Sequence, residues 1–519
     1  MKAVSPVVLA LDSGSQSSRA LLFDADGQIL GQGSRAHGPM AYPSVGAVEQ
    51  DPVDIRDSLF FATRECLEGW GGDPARLQAA ALTSQRTTML ATDGAGEPIT
   101  AAISWLDRRL ADRTKLESPP ARVISAVLTR LRQPSLPRIV ASSRGNLLRE
   151  HYPDALSDLR WFTVLEAWLL HQLCGEMRMA VGGMAGVVPA DMPQRRWSPH
   201  GFLHRLLGFE PGWLPEVVEA GELIGRVHAD AARCTGLPEG LPLYACGGDK
   251  QAEALGAGVL PSRPGVAAVS LGTASSISVP SLKPRASQTF EWITCCSVVP
   301  GVWHLEYMVF RGMWTVAWFA REFGRDLEPK ARARGVPVEA LLCEEAATVE
   351  AGSEGVVTWP RWSPSPESPI DTGTMMGLRE VHGRAHLFRS ILEGIAMDLR
   401  RGREILERAT GQKLREVQVG GGGARSDVVV EILADVLNLP VVCPPSEELS
   451  ARGAAMVAAV AGGLHPDMES AVARMVHPGT RVDPDSARAR RYDRIYREVF
   501  VPGLVQTRRL ARALALTQG

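Results

Sequence analysis

The chain has 519 residues, of which 22% are charged and 45% hydrophobic, and its formal net charge is −2. This composition is ordinary for a water-soluble protein, and the length predicts more than one domain. A nearly neutral chain with a pI of about 6.6 does not favour nucleic acid or an anionic membrane surface as a partner.

The chain begins with a strand–turn–strand pattern. Residues 7–11 are an apolar run of strand type, residues 12–17 are turn-like and residues 20–23 are apolar again, which predicts a hairpin. A third strand can begin at residues 28–30. The first apolar run is too short for a secretory signal. The longest apolar stretch, residues 454–464, is too short to span a bilayer, so we expect a cytoplasmic protein that does not contact membranes.

The first turn carries groups suited to a phosphate and its metal ion. Asp12 ends the first strand, and Ser15, Gln16 and Ser17 offer side-chain and backbone donors. A carboxylate here could hold Mg²⁺, directly or through water, because magnesium takes few protein ligands. The alternative is a plain hairpin turn in which Asp12 caps its own backbone.

A related pattern lies between residues 79 and 96, where two strand-like runs surround the polar segment Ser84–Thr87. Beyond it, segment Ile103–Arg109 combines Trp105, Asp107 and two arginines. Aromatic rings pack against sugar CH groups while Asp and Arg bond hydroxyls, so both segments could line a sugar pocket. The alternatives are a turn for the first segment and, for the second, a solvated helix start with ion pairs four residues apart.

A carboxylate also follows the predicted strand Leu243–Cys246, after two glycines. Asp249 would lie at the carboxyl end of that strand and open a helix. Ligands of α/β folds gather at such ends, and a helix N-terminus stabilises an ionised carboxylate. Asp249 could therefore act as a base, and the alternative is a helix N-cap. Small and helix-breaking residues at 256–264 predict a domain boundary there.

The second half opens like the first. Residues 266–271 are strand-like, residues 272–275 form a Gly/Thr/Ser turn and residues 276–280 return as a strand, which is a weak internal repeat. Two such donor-rich turns suit a nucleotide held in a cleft between two related domains, although each could be a plain turn. Glycines 420–423 follow the predicted strand 417–419 and could admit a flat ring or a phosphate, or simply form a tight strand-to-helix turn. They match neither a dinucleotide-binding motif nor a P-loop.

The remaining segments are expected to be structural. The eight cysteines form no CxxC pair, which is typical of a reduced protein. Cys295 and Cys296 are interpreted as half-buried strand residues rather than a redox pair, and the eleven histidines show no metal-ligand spacing. We predict a loop and helix insertion at 117–154, helices at 381–409, 427–437 and 449–460, a strand at 440–443 and a solvated amphipathic helix at 488–498.

Six of these segments occur in an order that resembles the FGGY carbohydrate kinase family. They read LDSGSQSSRALLFD, LTSQR, ISWLDRR, ACGGDKQAEALGAG, VSLGTAS and VGGGGARSDVVVEILADVLNLPV. Each motif alone is weak, but the ordered set is specific and covers nearly the whole chain. The resemblance implies an α/β fold of two actin-like (ribonuclease H-like) ATPase domains with an interdomain cleft. It places residues 1–258 on the sugar side, with the first phosphate hairpin, and residues 259–519 on the ATP side.

The resemblance also implies roles for single residues. Asp249 would be the catalytic base and Asp12 would lie beside Mg²⁺. Contacts to the phosphates and adenosine of ATP are expected from Ser15, Gln16, Gly272, Thr273, Gly422, Gly423 and Ser426. Contacts to the substrate are expected from Gln85, Arg86, Thr87, Trp105, Asp107 and Lys250.

The implied function is ATP-dependent phosphorylation of a hydroxyl on a small sugar or polyol. The alternatives are a catalytically silent relative that senses sugars or nucleotides, and an actin-like ATPase. Thr87 stands where glycerol kinases carry Glu, and Lys250 stands where the family carries Gln or Asn. The acceptor could therefore be a different sugar, with a negative group that Lys250 and Arg86 would meet. Family members are often dimers, so a homodimer is also expected, with no nucleic acid partner.

Overall fold

A computed structural model describes residues 5–112, 136–287, 289–363 and 371–517. Its strands are β1 (Val7–Ser13), β2 (Ser17–Phe23), β3 (Ile29–Ala36), β4 (Glu49–Gln50), β5 (Leu77–Ser84), β6 (Met89–Thr92), β7 (Ala102–Ile103), β8 (Trp161–Val164), β9 (Arg178–Ala180), β10 (Ala190–Asp191), β11 (Arg196–Trp197), β12 (Glu216–Val218), β13 (Leu223–Arg226), β14 (Pro242–Gly248), β15 (Val266–Leu271), β16 (Ser275–Ser281), β17 (Ile293–Cys296), β18 (Trp303–Val309), β19 (Val357–Trp359), β20 (Thr374–Met376), β21 (Glu416–Gly420), β22 (Val441–Cys443) and β23 (Thr480–Val482).

The helices are α1 (Pro52–Trp70), α2 (Leu136–Ala141), α3 (Arg144–His151), α4 (Leu165–Cys174), α5 (Gly201–Leu206), α6 (Ala229–Thr235), α7 (Asp249–Gly256), α8 (Gly312–Phe323), α9 (Glu328–Arg334), α10 (Val338–Ala347), α11 (Arg384–Thr410), α12 (Asp427–Leu437), α13 (Leu449–Ala461), α14 (Met468–Met475), α15 (Ser486–Ile495) and α16 (Val501–Thr517). Within the described ranges, none of them combines the length and apolarity needed to cross a membrane.

Two large mixed sheets organise the described chain. The first has the order β13-β14-β5-β1-β2-β3 and the second the order β17-β18-β16-β15-β21-β22-β23. In the first sheet β1, β5 and β14 run parallel, and β1–β2–β3 form an antiparallel meander. The second sheet repeats the design, with β15, β21 and β22 parallel and β15–β16 antiparallel. The predicted hairpins that open the two halves are therefore confirmed.

The helix α13 joins the two halves. It packs against α7 and against strands β1 and β5 of the first sheet, although it lies between β22 and β23 of the second sheet in sequence. Its alanine face shares a core with Val8, Ala10, Ala79 and Ala81. Gly453 allows the close helix contact, because a Cβ there would lie 1.9 Å from the carbonyl oxygen of Ala252.

Most predicted elements agree with the structure, and two segments differ. Residues 103–109 do not begin a helix, because β7 ends at Ile103 and a turn follows. The helix α15 and the π-helix Tyr496–Phe500 are amphipathic but not simply solvated, since Tyr492 and Tyr496 are buried in the second core. Of the predicted insertion, residues 117–135 lie outside the described residues, and the rest forms α2, α3 and a short 3₁₀ turn.

Candidate functional site

The carboxyl ends of three parallel strands bring the first candidate residues together. In the register of the first sheet, Asp12 of β1 is paired with Thr83 of β5, and Gly247 of β14 is also paired with Thr83. Arg86 comes directly after β5, and Asp249 directly after β14. Side chains that follow parallel strands share one edge of a sheet, where ligands of α/β folds bind. The register therefore brings Asp12, Arg86 and Asp249 to one edge of the first sheet, and the roles expected of them stay predictions.

Asp249 is the first residue of α7 and has a partly accessible carboxylate. Its side chain is 24% exposed, and its Oδ1 lies 3.9 Å from Nε of Arg86. The backbone amide of Lys250 donates to the same oxygen at 2.8 Å. Burial raises the pKa of Asp249 above its usual value, against the opposing charges of Lys250 and Arg86. A carboxylate with a raised pKa is a stronger base than a solvated one.

Asp12 is buried, and its Oδ1 has no hydrogen-bond partner among the described residues. Burial raises the pKa of Asp12 to about 7, with Arg19 opposing and Asp249 reinforcing the shift. An unpartnered buried carboxylate beside a second carboxylate is suited to a cation. No group of three or more His, Cys, Asp or Glu in the described ranges could hold a metal ion.

Arg86 is held by a residue that the sequence did not suggest. Glu306 of β18 accepts from Nη1 at 2.8 Å and from Nη2 at 3.2 Å. The two side chains are 10% and 3% exposed. Burial alone would raise the pKa of Glu306, but Arg86 holds it below its usual range. The sequence signal that could have found it is a lone carboxylate in the largely apolar stretch Trp303–Val309.

Lys250 lies beside the turn that contains Gly272. Its Nζ donates to Oε2 of Glu253 at 2.8 Å and to Oγ of Ser270 at 2.6 Å. The same Nζ lies 3.7 Å from where a Cβ on Gly272 would be. Its ammonium group is therefore already paired with a carboxylate, at the turn expected to contact the terminal phosphate.

The two predicted phosphate turns have defined partners. The indole Nε1 of Trp105 donates to Oγ of Ser15 at 2.7 Å, which ties a sugar-side residue to the first turn. Gln16 is exposed. In the second turn, the carbonyls of Gly272 and Thr273 accept from the amides of Met313 and Trp314, at the start of α8, at 3.2 Å each.

Two predicted substrate residues have structural partners instead. Gln85 is buried, donates to Oε1 of Gln50 and accepts from Oγ1 of Thr88. Asp107 is buried and forms an ion pair with Arg109 while accepting from the amide of Val48. Direct contact of Gln85 or Asp107 with a substrate stays a prediction.

Thr87 and the glycine turn after β21 complete the predicted site residues. Thr87 is half-buried and has a φ of 62°, in the left-handed region that few residues other than glycine adopt. Gly422 and Gly423 form a 3₁₀ turn. Nothing lies within 4 Å of a Cβ added at Gly422, whereas a Cβ at the buried Gly423 would lie 2.8 Å from Cβ of Leu271. Ser426 follows as the residue preceding α12. The open space at this turn is therefore at Gly422.

The chain matches both domains of one enzyme family. Residues 7–256 match the N-terminal domain, and residues 267–462 the C-terminal domain, of the FGGY family of carbohydrate kinases. The match confirms the predicted fold class of two actin-like ATPase domains. The predicted bounds of 1–258 and 259–519 stay a prediction.

Similar proteins from three organisms cover nearly the whole chain. The uncharacterized sugar kinase YgcE of Escherichia coli is 28% identical over 95% of this chain and 92% of its own length. A glycerol kinase of Aromatoleum aromaticum is 31% identical over 89% of this chain and 91% of its own. The crystal structure of a xylulose kinase from Rhodospirillum rubrum superposes with a TM-score of 0.82 at 26% identity, covering 98% of this chain and 100% of that chain. These similarities support a kinase and give no support to a silent sensor or an actin-like ATPase.

Proposed function

Because the chain belongs to the FGGY family of carbohydrate kinases, which transfer a phosphoryl group from ATP to a hydroxyl of a sugar or polyol, we propose that Asp249 accepts the proton of that hydroxyl. One observation carries the assignment. Asp249 is a partly exposed carboxylate with a raised pKa, at the sheet edge that also holds Asp12 and Arg86. A general base must reach the proton and have a suitable pKa.

The phosphates would lie between the two turns that open the halves. Ser15 and Gln16 would contact them from the first turn, and Gly272 and Thr273 from the second. Asp12 would hold Mg²⁺, which when bound neutralises charge on the phosphates. The geometry of Lys250, held at Ser270 beside Gly272, supports a place on the phosphate side rather than at the acceptor.

The acceptor would lie against the first half. Trp105 and Thr87 would face it, with Arg86 fixed from behind by Glu306. A buried guanidinium that is already paired bidentately has a fixed orientation, so it can direct its remaining N–H toward a hydroxyl. The adenosine end would lie across the glycine turn at 422–423.

The test is the variant Asp249→Asn, measured by ADP release with a panel of pentoses, ketoses, polyols and sugar acids. We expect kcat to fall by about 10²–10⁴-fold, the range for loss of a general base, while ATP affinity is kept. Asp230→Asn is the matched control, since Asp230 also lies in the first turn of a helix but is exposed and paired with Arg233. A near-normal kcat in Asp249→Asn would remove the residue from this role.

We also propose that the protein is cytoplasmic, where ATP is supplied and where its eight free cysteines would stay reduced. The homodimer expected from the resemblance is likewise a proposal. Cell fractionation tests the cytoplasmic location, and sedimentation at several protein concentrations tests the homodimer.

A further inference from the structure

The two cations expected to meet a negative group on the acceptor are not free to do so. Arg86 is paired bidentately with Glu306, and Lys250 is paired with Glu253. Each guanidinium or ammonium is neutralised by a carboxylate within 3 Å. An anion at this point would have to displace a buried carboxylate, which is unfavourable.

A different pair of arginines lacks such partners. Arg108 from the first half and Arg311 from the second both donate to the single hydroxyl of Ser363, Arg108 through Nη2 and Arg311 through Nε at 3.0 Å. Neither forms an ion pair within the part of the chain that the structure describes. Burial and the charge of Arg108 lower the pKa of Arg311 to about 10. Burial and nearby Arg138 likewise lower the pKa of Arg108.

This arginine pair lies at the cleft. Arg108 is three residues beyond Trp105, whose indole bonds Ser15 of the first phosphate turn. Arg311 directly precedes α8, whose first amides bond the carbonyls of the second phosphate turn. Arg108 therefore belongs to a segment that contacts the first phosphate turn, and Arg311 to a segment that contacts the second. Both segments meet at Ser363. Two like charges held on one neutral hydroxyl repel each other and would be stabilised by an anion between them.

A third arginine adds positive charge to the acceptor side. Arg144 is buried, and its guanidinium donates to the carbonyls of Ser104 at 2.8 Å and Thr87 at 3.4 Å. Burial lowers its pKa to about 10, an effect that Asp107 only partly offsets. Both carbonyls belong to the segments that carry Thr87 and Trp105. Arg144 therefore adds one more buried positive charge behind the segments that carry Thr87 and Trp105.

We propose that Arg108 and Arg311 form an anion-binding site for the acceptor, so that the substrate is a sugar carrying a carboxylate or a phosphate, such as an aldonate or a sugar phosphate. Guanidinium groups bind both anions through paired N–H donors. The proposal rests on the kinase function proposed above. The anion-binding site assigns the chemical class of the acceptor, which the kinase function leaves open. An experiment can therefore refute the anion-binding site and leave the kinase function standing.

The experiment compares acidic and neutral acceptors of equal carbon number by ADP release. The probes are gluconate against glucitol, xylonate against xylitol, and glucose 6-phosphate against glucose. We expect the wild type to prefer at least one acidic member by about tenfold or more in kcat/KM. Arg108→Gln and Arg311→Gln should each lower that preference by about 10–100-fold, as for lost charge-assisted hydrogen bonds. Arg→Lys at either position should restore part of it.

The controls show whether the anion bound by Arg108 and Arg311 belongs to the acceptor or to ATP. Arg325→Gln, an exposed arginine just beyond α8, should leave every rate near the wild-type value. If the two Gln variants instead raise KM for ATP and slow acidic and neutral acceptors equally, the arginines serve the transferred phosphate and the proposal is overturned. A wild type that uses only neutral acceptors overturns it too, and leaves the kinase function intact. No ADP release with any acceptor overturns both.

Discussion

Breaking the ion pair between Arg86 and Glu306 should be strongly destabilising. The substitution Glu306→Gln keeps the shape of the side chain and removes its charge, leaving Arg86 buried with one neutral acceptor. At a separation near 4 Å and an effective dielectric constant of 20, a unit charge pair is worth about 4 kcal/mol. Removing one partner of a buried pair typically costs about 3–5 kcal/mol. Because Asp249 lies only 3.9 Å from Nε of Arg86 and can capture it, we expect a loss near the lower end, about 3 kcal/mol.

The assay is urea unfolding followed by tryptophan fluorescence, with the double variant Arg86→Met/Glu306→Leu for comparison. In this variant both charges of the pair are gone and Asp249 keeps the opposing charge of Lys250, so its free energy of unfolding should lie closer to the wild-type value than that of Glu306→Gln. The matched control is Arg334→Gln, which breaks another bidentate pair, with Glu344, on the exposed surface. It should cause no measurable loss. A loss below about 1 kcal/mol in Glu306→Gln, the size expected of a solvated pair, would refute the reasoning.

Three further predictions concern other residues. Burial raises the pKa of Glu166 from 4.5 to about 8, so the folded state keeps a proton that the unfolded state loses; stability should fall by up to about 1.4 kcal/mol per pH unit between those values. Urea unfolding from pH 5 to 8 should show a flatter dependence in Glu166→Gln, and identical slopes would contradict the assignment. Gly453→Ala should lower the free energy of unfolding by about 1–3 kcal/mol through overpacking. The control Gly69→Ala should gain stability, because nothing lies within 4 Å of its added Cβ. Equal changes in the two variants would argue against the close contact between α7 and α13. Asp12→Asn should raise the Mg²⁺ concentration for half-maximal activity by about tenfold or more, and an unchanged magnesium titration would exclude Asp12 from the metal.

Sequence reasoning succeeded where the signal is local. The strand–turn–strand hairpins depend on apolar alternation and on Gly, Ser and Asp in turns, and β15 was predicted with its full bounds. Asp12 and Asp249 could be placed at strand ends because their neighbours in sequence define those ends. Parallel pairing of β1, β5 and β14 then brings them together.

It failed where the partner is distant in sequence. Glu306 lies 220 residues beyond Arg86, and no local pattern marks the pair. The helix alternative for residues 103–109 was wrong because β7 pairs with β4 and β6, a tertiary contact that overrides helix propensity. The contact between Lys250 and Ser270 was missed for the same reason, because Ser270 belongs to the other half.

The position of α13 has a consequence for how this protein is made. The face of β1 and β5 formed by Val8, Ala10, Ala79 and Ala81 is covered by residues that include 451–459. A nascent chain that has left the ribosome only as far as β5, which ends at Ser84, must therefore carry an uncovered apolar surface until α13, which begins at Leu449, is translated, at about 5–20 residues per second. We expect chaperone engagement to begin early on this chain and to end only after α13 emerges, which ribosome profiling of chaperone-bound nascent chains can measure.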